Sequence, residues 1–155
     1  MKFIKTLTLI AILSGVTLFS CKEEEKTVTP VIPKTKTELL TSKTWKMSAR
    51  TNDKPIKFCS TCTASTDLYV QMTACEKDDT IRFFTNSTSK RYAVTKCTGD
   101  QAIVTDLWGF ADGEKILSWE SQDYTIKELT ESKMVLNHKF TKGSENYDVV
   151  VTYTH

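Results

Sequence analysis

The sequence lacks the short motifs that mark the common enzyme classes. It contains no Gly-x-Ser-x-Gly, no phosphate-binding loop and no His-Glu-x-x-His pattern. Only two of its 155 residues are histidine, and one of them, His155, is the last residue. It also has no block of lysine and arginine, which argues against a nucleic-acid partner. We therefore expect a protein that is not an enzyme and that carries no cofactor and no metal.

Glycine and proline are also scarce, with 5 and 3 residues, whereas threonine, serine, lysine and aromatic residues are frequent. This composition favours strands over helices. The chain has 21 lysine and arginine residues against 19 aspartate and glutamate residues. Lys2 and Lys5 belong to a leader that we expect to be removed, so the charges of the remaining chain cancel. The mature protein is therefore predicted to be near neutral.

Residues 1–20 have the parts of a secretory signal, namely a basic start, an apolar run over residues 7–19 and a small residue before Cys21. The run is shorter than the roughly 20 apolar residues that a membrane-spanning helix needs. The tetrapeptide Leu-Phe-Ser-Cys that ends at Cys21 resembles the lipobox of bacterial lipoproteins. The resemblance implies cleavage before Cys21 and attachment of fatty acyl chains, such as palmitate, as a membrane anchor. An ordinary cleaved leader followed by a chance cysteine is the alternative.

Residues 21–34 are predicted to form a flexible tether. The segment Lys22–Lys26 is charged, and threonines and two prolines follow it without a periodic apolar face. Lys-Glu-Glu directly after the cysteine resembles the surface-export tether of some Gram-negative lipoproteins, which implies the outer membrane and its outer face. A solvated spacer on a periplasmic lipoprotein is the alternative, because charge runs are usually only solvating.

Residues 35–155 are predicted to form one domain that begins with a short helix. Thr35 and Glu38 have the spacing of a capping box, and two leucines follow them. The helix has too little apolar surface to be stable alone. We therefore expect it to plug the open end of the structure that follows.

The rest of this domain has a two-residue apolar period, which is typical of strands. Trp45, Met47 and Ala49 are expected on one face of the first strand. Short turns separate about eight such strands, which favours an all-β, antiparallel up-and-down barrel. Residues 51–74 show no clear period, and within them residues 67–73 fit either a short strand or a helical turn.

Spaced strand signatures follow one another along the domain. They are Trp45-Lys46 after the Leu-Leu helix, Cys75-Glu76-Lys77-Asp78-Asp79, Cys97, Tyr124-Thr125-Ile126-Lys127-Glu128-Leu129-Thr130 and Met134-Val135-Leu136. Over residues 37–155 they resemble the lipocalin-like domain lipoproteins of Gram-negative bacteria. The resemblance implies a small eight-stranded up-and-down barrel, for which ligands are generally unassigned. A loop that contains Cys59 and Cys62 is extra to the family pattern.

Four cysteines remain once the lipidated one is set aside, and they allow three disulfide pairings. We expect Cys75 to pair with Cys97, because the turn at residues 86–89 lies near their midpoint. Cys59 and Cys62 would then close a four-residue loop, which is feasible at a Cα separation below about 7 Å. A four-cysteine zinc site and a redox Cys-x-x-Cys are the alternatives. An oxidising compartment favours the disulfides.

The aromatic side chains offer the best candidates for a ligand site. In a small barrel such residues usually form the core, and some of them can line a cavity. His138 lies on the same strand face as Phe140 and would be either a hydrogen-bonded interior group or a polar group in that cavity. The cavity candidates are Trp45, Phe83, Tyr92, Trp108, Tyr124, His138 and Phe140.

Two functions are compatible with these features. The leading hypothesis is a lipid-anchored envelope protein that binds a small apolar or amphipathic molecule inside its barrel. The alternative is a protein-interaction module, such as an inhibitor or assembly factor, that uses the Cys59–Cys62 loop, since rigid closed loops lose little entropy on binding. A cavity of about 300 Å³ or more would favour the first hypothesis, and a filled interior the second.

Overall fold

The computed structural model describes residues 33–155, so the leader, Cys21 and the tether up to residue 32 lie outside the described residues. Within that part the strands are β1 (Thr44–Ile56), β2 (Ser65–Asp67), β3 (Thr80–Phe83), β4 (Thr88–Tyr92), β5 (Ile103–Ala111), β6 (Ile116–Trp119), β7 (Gln122–Leu129), β8 (Lys133–Lys142) and β9 (Glu145–Thr154). The helices are α1 (Lys36–Thr41), a 3₁₀ turn (Tyr69–Gln71) and α2 (Ala74–Lys77). No helix in this range is long and apolar enough to cross a membrane.

Eight of these strands form a closed antiparallel barrel. From β3 to β9 each strand pairs with the next one along the chain, and β1 pairs with β3 on one side and β9 on the other. Strand β2 stays outside the ring and pairs with the second half of β1. The predicted all-β up-and-down barrel is therefore confirmed.

The up-and-down order places alternate connections at the same end of the barrel. We call one end the α1 end, which holds α1 and the turns at residues 84–87, 112–115 and 130–132. We call the other end the mouth, which holds the connections at residues 57–79, 93–102, 120–121 and 143–144. The two ends differ in chemistry, as shown below.

Helix α1 closes its end of the barrel with the predicted capping box. The Thr35 hydroxyl accepts a hydrogen bond from the Glu38 amide at 3.2 Å, and the Glu38 carboxylate accepts one from the Thr35 amide at 2.7 Å. Leu40 is fully buried, and the Trp45 indole donates to the Leu40 carbonyl at 2.9 Å. The helix is therefore fixed by its cap and by a buried leucine and tryptophan.

A bulge in β1 changes which side chains enter the barrel. Met47 lies opposite Tyr153, but the register then shifts, so that Arg50 lies opposite Val151 and Asn52 opposite Val149. Paired residues point to the same side of a sheet, and Val149 and Val151 are core residues. Arg50 and Asn52 therefore point inward. The expected alternation of Trp45, Met47 and Ala49 ends at Met47.

Aromatic side chains fill the middle of the barrel. Phe83 packs edge-on against Trp108 and Trp119, with ring centroids 5.9 and 5.2 Å apart. Both indoles are satisfied, because Trp108 donates to the Phe84 carbonyl at 3.0 Å and Trp119 to the Ser89 hydroxyl at 3.0 Å. Such T-shaped pairs add to the stabilisation that burial itself provides. The interior is thus a packed core.

Residues 51–74, which showed no period, contain several short elements in succession. β1 continues to Ile56, and β2, the 3₁₀ turn and α2 follow. Cys59 and Cys62 form one disulfide, with Cα atoms 5.1 Å apart, and Cys75 and Cys97 form the other, at 5.5 Å. Both predicted pairings are therefore confirmed. The second disulfide joins α2 to the connection between β4 and β5.

Candidate functional site at the barrel mouth

The mouth is the part of the interior where charged and polar side chains replace the aromatic core. They come from β1, from the segment before β3, from β4, from the connection between β6 and β7, and from β7 and β8. These side chains are Arg50, Asn52, Asp79, Arg91, Glu120, Tyr124 and His138. Asn52 and His138 are buried, with 8% and 9% of their surface exposed. Polar groups at this depth need partners, so each pairing matters.

Arg50 is a partly buried cation without an acidic partner. Its Nε is buried and has no hydrogen-bond acceptor. Within residues 33–155 no carboxylate lies in ion-pair contact with it. The guanidinium carbon lies 5.3 Å from the ring centroid of Phe58, which in turn lies 5.5 Å from Phe140. A cation–π contact offsets only part of the desolvation of a charge.

His138 and Tyr124 form an aromatic pair beside this arginine. Their ring centroids are 5.1 Å apart in a T-shaped arrangement, and His138 Nδ1 lies 3.2 Å from the Lys139 carbonyl. Burial lowers the pKa of His138, and the Arg50 charge lowers it further. Burial also raises the pKa of Tyr124 to about 12. Both groups are therefore neutral at neutral pH, and Arg50 carries the charge in this part of the mouth.

Arg91, on β4, also lies at the mouth and has two acidic partners. Its Nη1 is 3.6 Å from Asp79 Oδ2, and its Nε is 3.7 Å from Glu120 Oε1. Burial raises the pKa of both carboxyl groups, and the Arg91 charge opposes that shift. A cavity of about 70 Å³ lies here, lined in part by Glu76 and Tyr153. In this cluster one guanidinium thus faces two carboxylates.

The predicted cavity residues are placed as follows. Trp45, Phe83, Trp108, Tyr124 and His138 are buried, and Phe140 is half-buried against the core. The structure brings Tyr124, His138 and Phe140 to the mouth but leaves Trp45 at the α1 end.

Tyr92 differs from the expectation, because it lies on the outer face of the barrel. It pairs with Thr80 and Ile103, while its neighbour Arg91 pairs with the core residue Ile81. Since successive side chains of a strand point to opposite faces, Tyr92 points outward. The sequence alone did not reveal this, because Lys90 and Arg91 gave no apolar alternation from which to set the register.

The interior cavities around the described mouth residues are small. One of about 80 Å³ lies beside Arg50 and Phe58, and the one near Arg91 is about 70 Å³. Two larger grooves, of about 390 and 460 Å³, are open to solvent. The first lies against the outer face of the sheet at Gly109, and the second beside the Cys59–Cys62 loop. Neither is the interior cavity of about 300 Å³ that a drug-sized ligand would need.

The Cys59–Cys62 loop presents apolar side chains at the rim of the mouth. We call Phe58, the Cys59–Cys62 disulfide and Val70 the loop surface. Phe58 and Val70 are 39% and 61% exposed. Gln71 holds the loop in place, because its side chain accepts from the Phe58 amide and donates to the Ile56 carbonyl, both at 3.0 Å. The loop surface is therefore apolar, exposed and fixed.

Sequence reasoning missed the charged residues of the mouth. Arg50 and Asn52 follow a bulge, which the two-residue apolar period of the sequence cannot show. Arg91 and Glu120 have no sequence signal that distinguishes them from ordinary surface residues. Asp79 follows another aspartate directly before β3, which is typical of a turn, yet its Oδ1 is buried without a partner. Among residues 33–155, no group of three or more histidine, cysteine, aspartate or glutamate side chains is arranged to hold a metal.

No protein-family model matches the chain, and no curated protein matches it significantly.

Proposed function

We propose that this protein is a membrane-tethered, non-enzymatic binding module that engages a protein partner through the loop surface at the mouth. The observation that carries the proposal is the combination of a filled barrel with an exposed, disulfide-closed apolar loop. Large apolar side chains that stay exposed on a fixed loop mark interaction sites more often than isolated exposed residues do.

The filled interior supports a surface function over a buried ligand. The aromatic residues proposed to line a cavity pack against one another, and the cavities at the mouth reach only about 80 Å³. A small apolar molecule inside the barrel would have to displace part of this packed core. Close-packed interiors resist such displacement.

The rigidity of the loop surface also supports recognition of a partner. The disulfide and the two Gln71 hydrogen bonds restrict the loop before any partner binds. Binding to a preorganised surface loses less conformational entropy than binding to a mobile one. An exposed apolar surface of this kind suits the hydrophobic centre of a protein–protein interface.

The proposed lipid anchor at Cys21 fits this arrangement. Lys34 Nζ lies 2.7 Å from Glu131 Oε1, which places the start of the described chain at the α1 end. A lipid anchor that precedes residue 33 would therefore be connected to the barrel at the α1 end. We propose attachment to the outer membrane, at the cell surface or the periplasmic face, as the lipobox-like leader and tether predict.

A pair of matched variants tests the proposal in the native host. Val70→Lys places a charge on the loop surface, whereas Leu107→Lys places one on another apolar residue, 69% exposed, on the outer wall. After cross-linking in intact cells, we expect Val70→Lys to lose a specific partner at least about tenfold, since a charge in an interface centre costs over 1.4 kcal/mol. Leu107→Lys should retain it. Equal recovery of the partner with both variants would contradict the proposal.

A further inference from the structure

Arg50 and Arg91 occupy the same mouth but differ in how their charges are balanced. Arg91 has a carboxylate on each side. Arg50 has none in contact among residues 33–155, and its buried Nε lacks an acceptor. A guanidinium that is partly removed from water without an anionic partner costs stability, and proteins generally supply that partner. The partner of Arg50 is therefore to be sought outside the described chain.

The surroundings of Arg50 fit a small anion. A cavity of about 80 Å³ adjoins it, lined also by Phe58, Leu68, Gln71 and Met72. Glu76 lies on the same cavity, but its Oε2 accepts from the Thr73 amide and hydroxyl at 2.7 and 2.8 Å. His138 is neutral and adds no competing charge, as argued above. Arg50 and Glu76 thus bring opposite charges to this cavity, but of the two only Arg50 has a buried polar atom, its Nε, without a partner.

We propose that Arg50 anchors a carboxylate-binding site at the barrel mouth. The carboxylate comes either from a free small molecule or from an acidic side chain of a partner seated on the loop surface; the second source rests on the proposed function. A planar guanidinium matches a carboxylate through two parallel hydrogen bonds. The cavity holds a group of only a few heavy atoms.

The position of the cavity makes it accessible. Phe58, which covers the guanidinium, belongs to the loop surface and is 39% exposed. A carboxylate that approaches beside this ring reaches Arg50 from the rim without displacing the aromatic core. The site and the loop surface are therefore contiguous.

Thermal unfolding of the full-length chain tests the site with acetate as the probe. The midpoint is measured in sodium acetate and in sodium chloride at equal ionic strength for wild type, Arg50→Met and the control Arg82→Met. Arg82 pairs with Lys90 and Thr44 on the outer face. We expect acetate at ten times its dissociation constant to raise the midpoint of wild type and Arg82→Met by about 4 °C.

Arg50→Met should show no acetate response and should unfold in chloride at or above the wild-type midpoint, because it removes an unbalanced charge. Equal acetate responses of the two variants, or no response of wild type, would overturn the proposal. If Arg50→Met does not fold, the Nε–H resonance of Arg50 in the wild-type NMR spectrum decides instead. Acetate must shift that resonance, and its failure to do so would overturn the proposal too.

Further probes distinguish the two sources of the carboxylate. Butyrate and octanoate that bind progressively tighter than acetate would identify a free amphipathic ligand. A capped tripeptide with a central glutamate that stabilises wild type, while its glutamine counterpart does not, would identify a side chain. Partner loss in Val70→Lys without any carboxylate response would retain the proposed function and reject this site. A carboxylate response without any partner recovered would support this site and reject the proposed function.

Discussion

The two ends of the barrel use the same strands for different purposes. At the α1 end, a capped helix covers Leu40 and Trp45, and the indole of Trp45 is hydrogen-bonded to the helix. At the mouth, the interior side chains are polar or charged. They include Arg50, Asn52, Glu120 and His138, and the two disulfides lie in the connections at this end. The α1 end is built mainly from buried apolar surface, which contributes most to stability. The mouth contains buried polar atoms without partners, which cost stability and are concentrated at functional sites.

The comparison predicts that the largest losses of stability arise at the α1 end. Trp45→Ala removes a fully buried indole and its hydrogen bond, so we expect a loss of about 4 kcal/mol in the free energy of unfolding. Tyr92→Ala is the matched control, because it removes an aromatic ring from the outer face, and it should cost under about 1 kcal/mol. Urea unfolding at pH 7 measures both. Similar losses for the two variants would show that the outward placement of Tyr92 is wrong.

The two disulfides at the mouth should differ from each other. Replacing Cys75 and Cys97 by serine opens a long loop and releases α2, at a cost of about 3 kcal/mol in the chain-entropy model. Replacing Cys59 and Cys62 opens a four-residue loop and should cost about 2 kcal/mol by the same model. Differential scanning calorimetry of the two double variants tests this order. A larger loss for the Cys59–Cys62 pair would show that the loop supports the barrel itself.

The cap of α1 should contribute less than the core beneath it. Thr35→Ala removes the hydroxyl that accepts from the Glu38 amide, and we expect a loss of about 1 kcal/mol. Thr35→Ser keeps an acceptor in the same place and should retain most of the stability. Urea unfolding of both variants measures the difference. An equal loss for serine would assign the effect to the threonine methyl group and not to the cap.

How much the sequence could predict also differs between the two ends. The capping box and the two-residue period are local signals, and they were enough to predict helix α1 and the barrel. The Cys75–Cys97 pair followed from the turn between its cysteines. These features depend on neighbours in sequence, which a single chain displays directly.

The mouth could not be predicted, because its geometry depends on long-range register. One bulge between Met47 and Ala49 exchanges the faces of β1 and brings Arg50 inward. Arg91 on β4 and Glu120 just after β6 meet because both strands flank β5, and no spacing in the sequence shows this contact. The charged residues of the candidate site therefore resembled surface residues until the strands were paired.

The smallest expected effect is a pH dependence of the free energy of unfolding that arises from titratable groups at the mouth. Because burial lowers the folded-state pKa of His138, the unfolded chain binds a proton more readily than the folded one below the ordinary value of about 6.5. Stability should therefore fall as the pH falls through that value, and His138→Gln should flatten the dependence. His155→Gln, at the α1 end, is the matched histidine substitution outside the mouth. Burial raises the pKa of Glu120, so its contribution has the opposite sign and is lost as the pH rises through the raised value. Urea unfolding from about pH 5 to 8 separates these cases. If His138→Gln and wild type showed the same slope near pH 6.5, His138 would not be the group that links the mouth to pH.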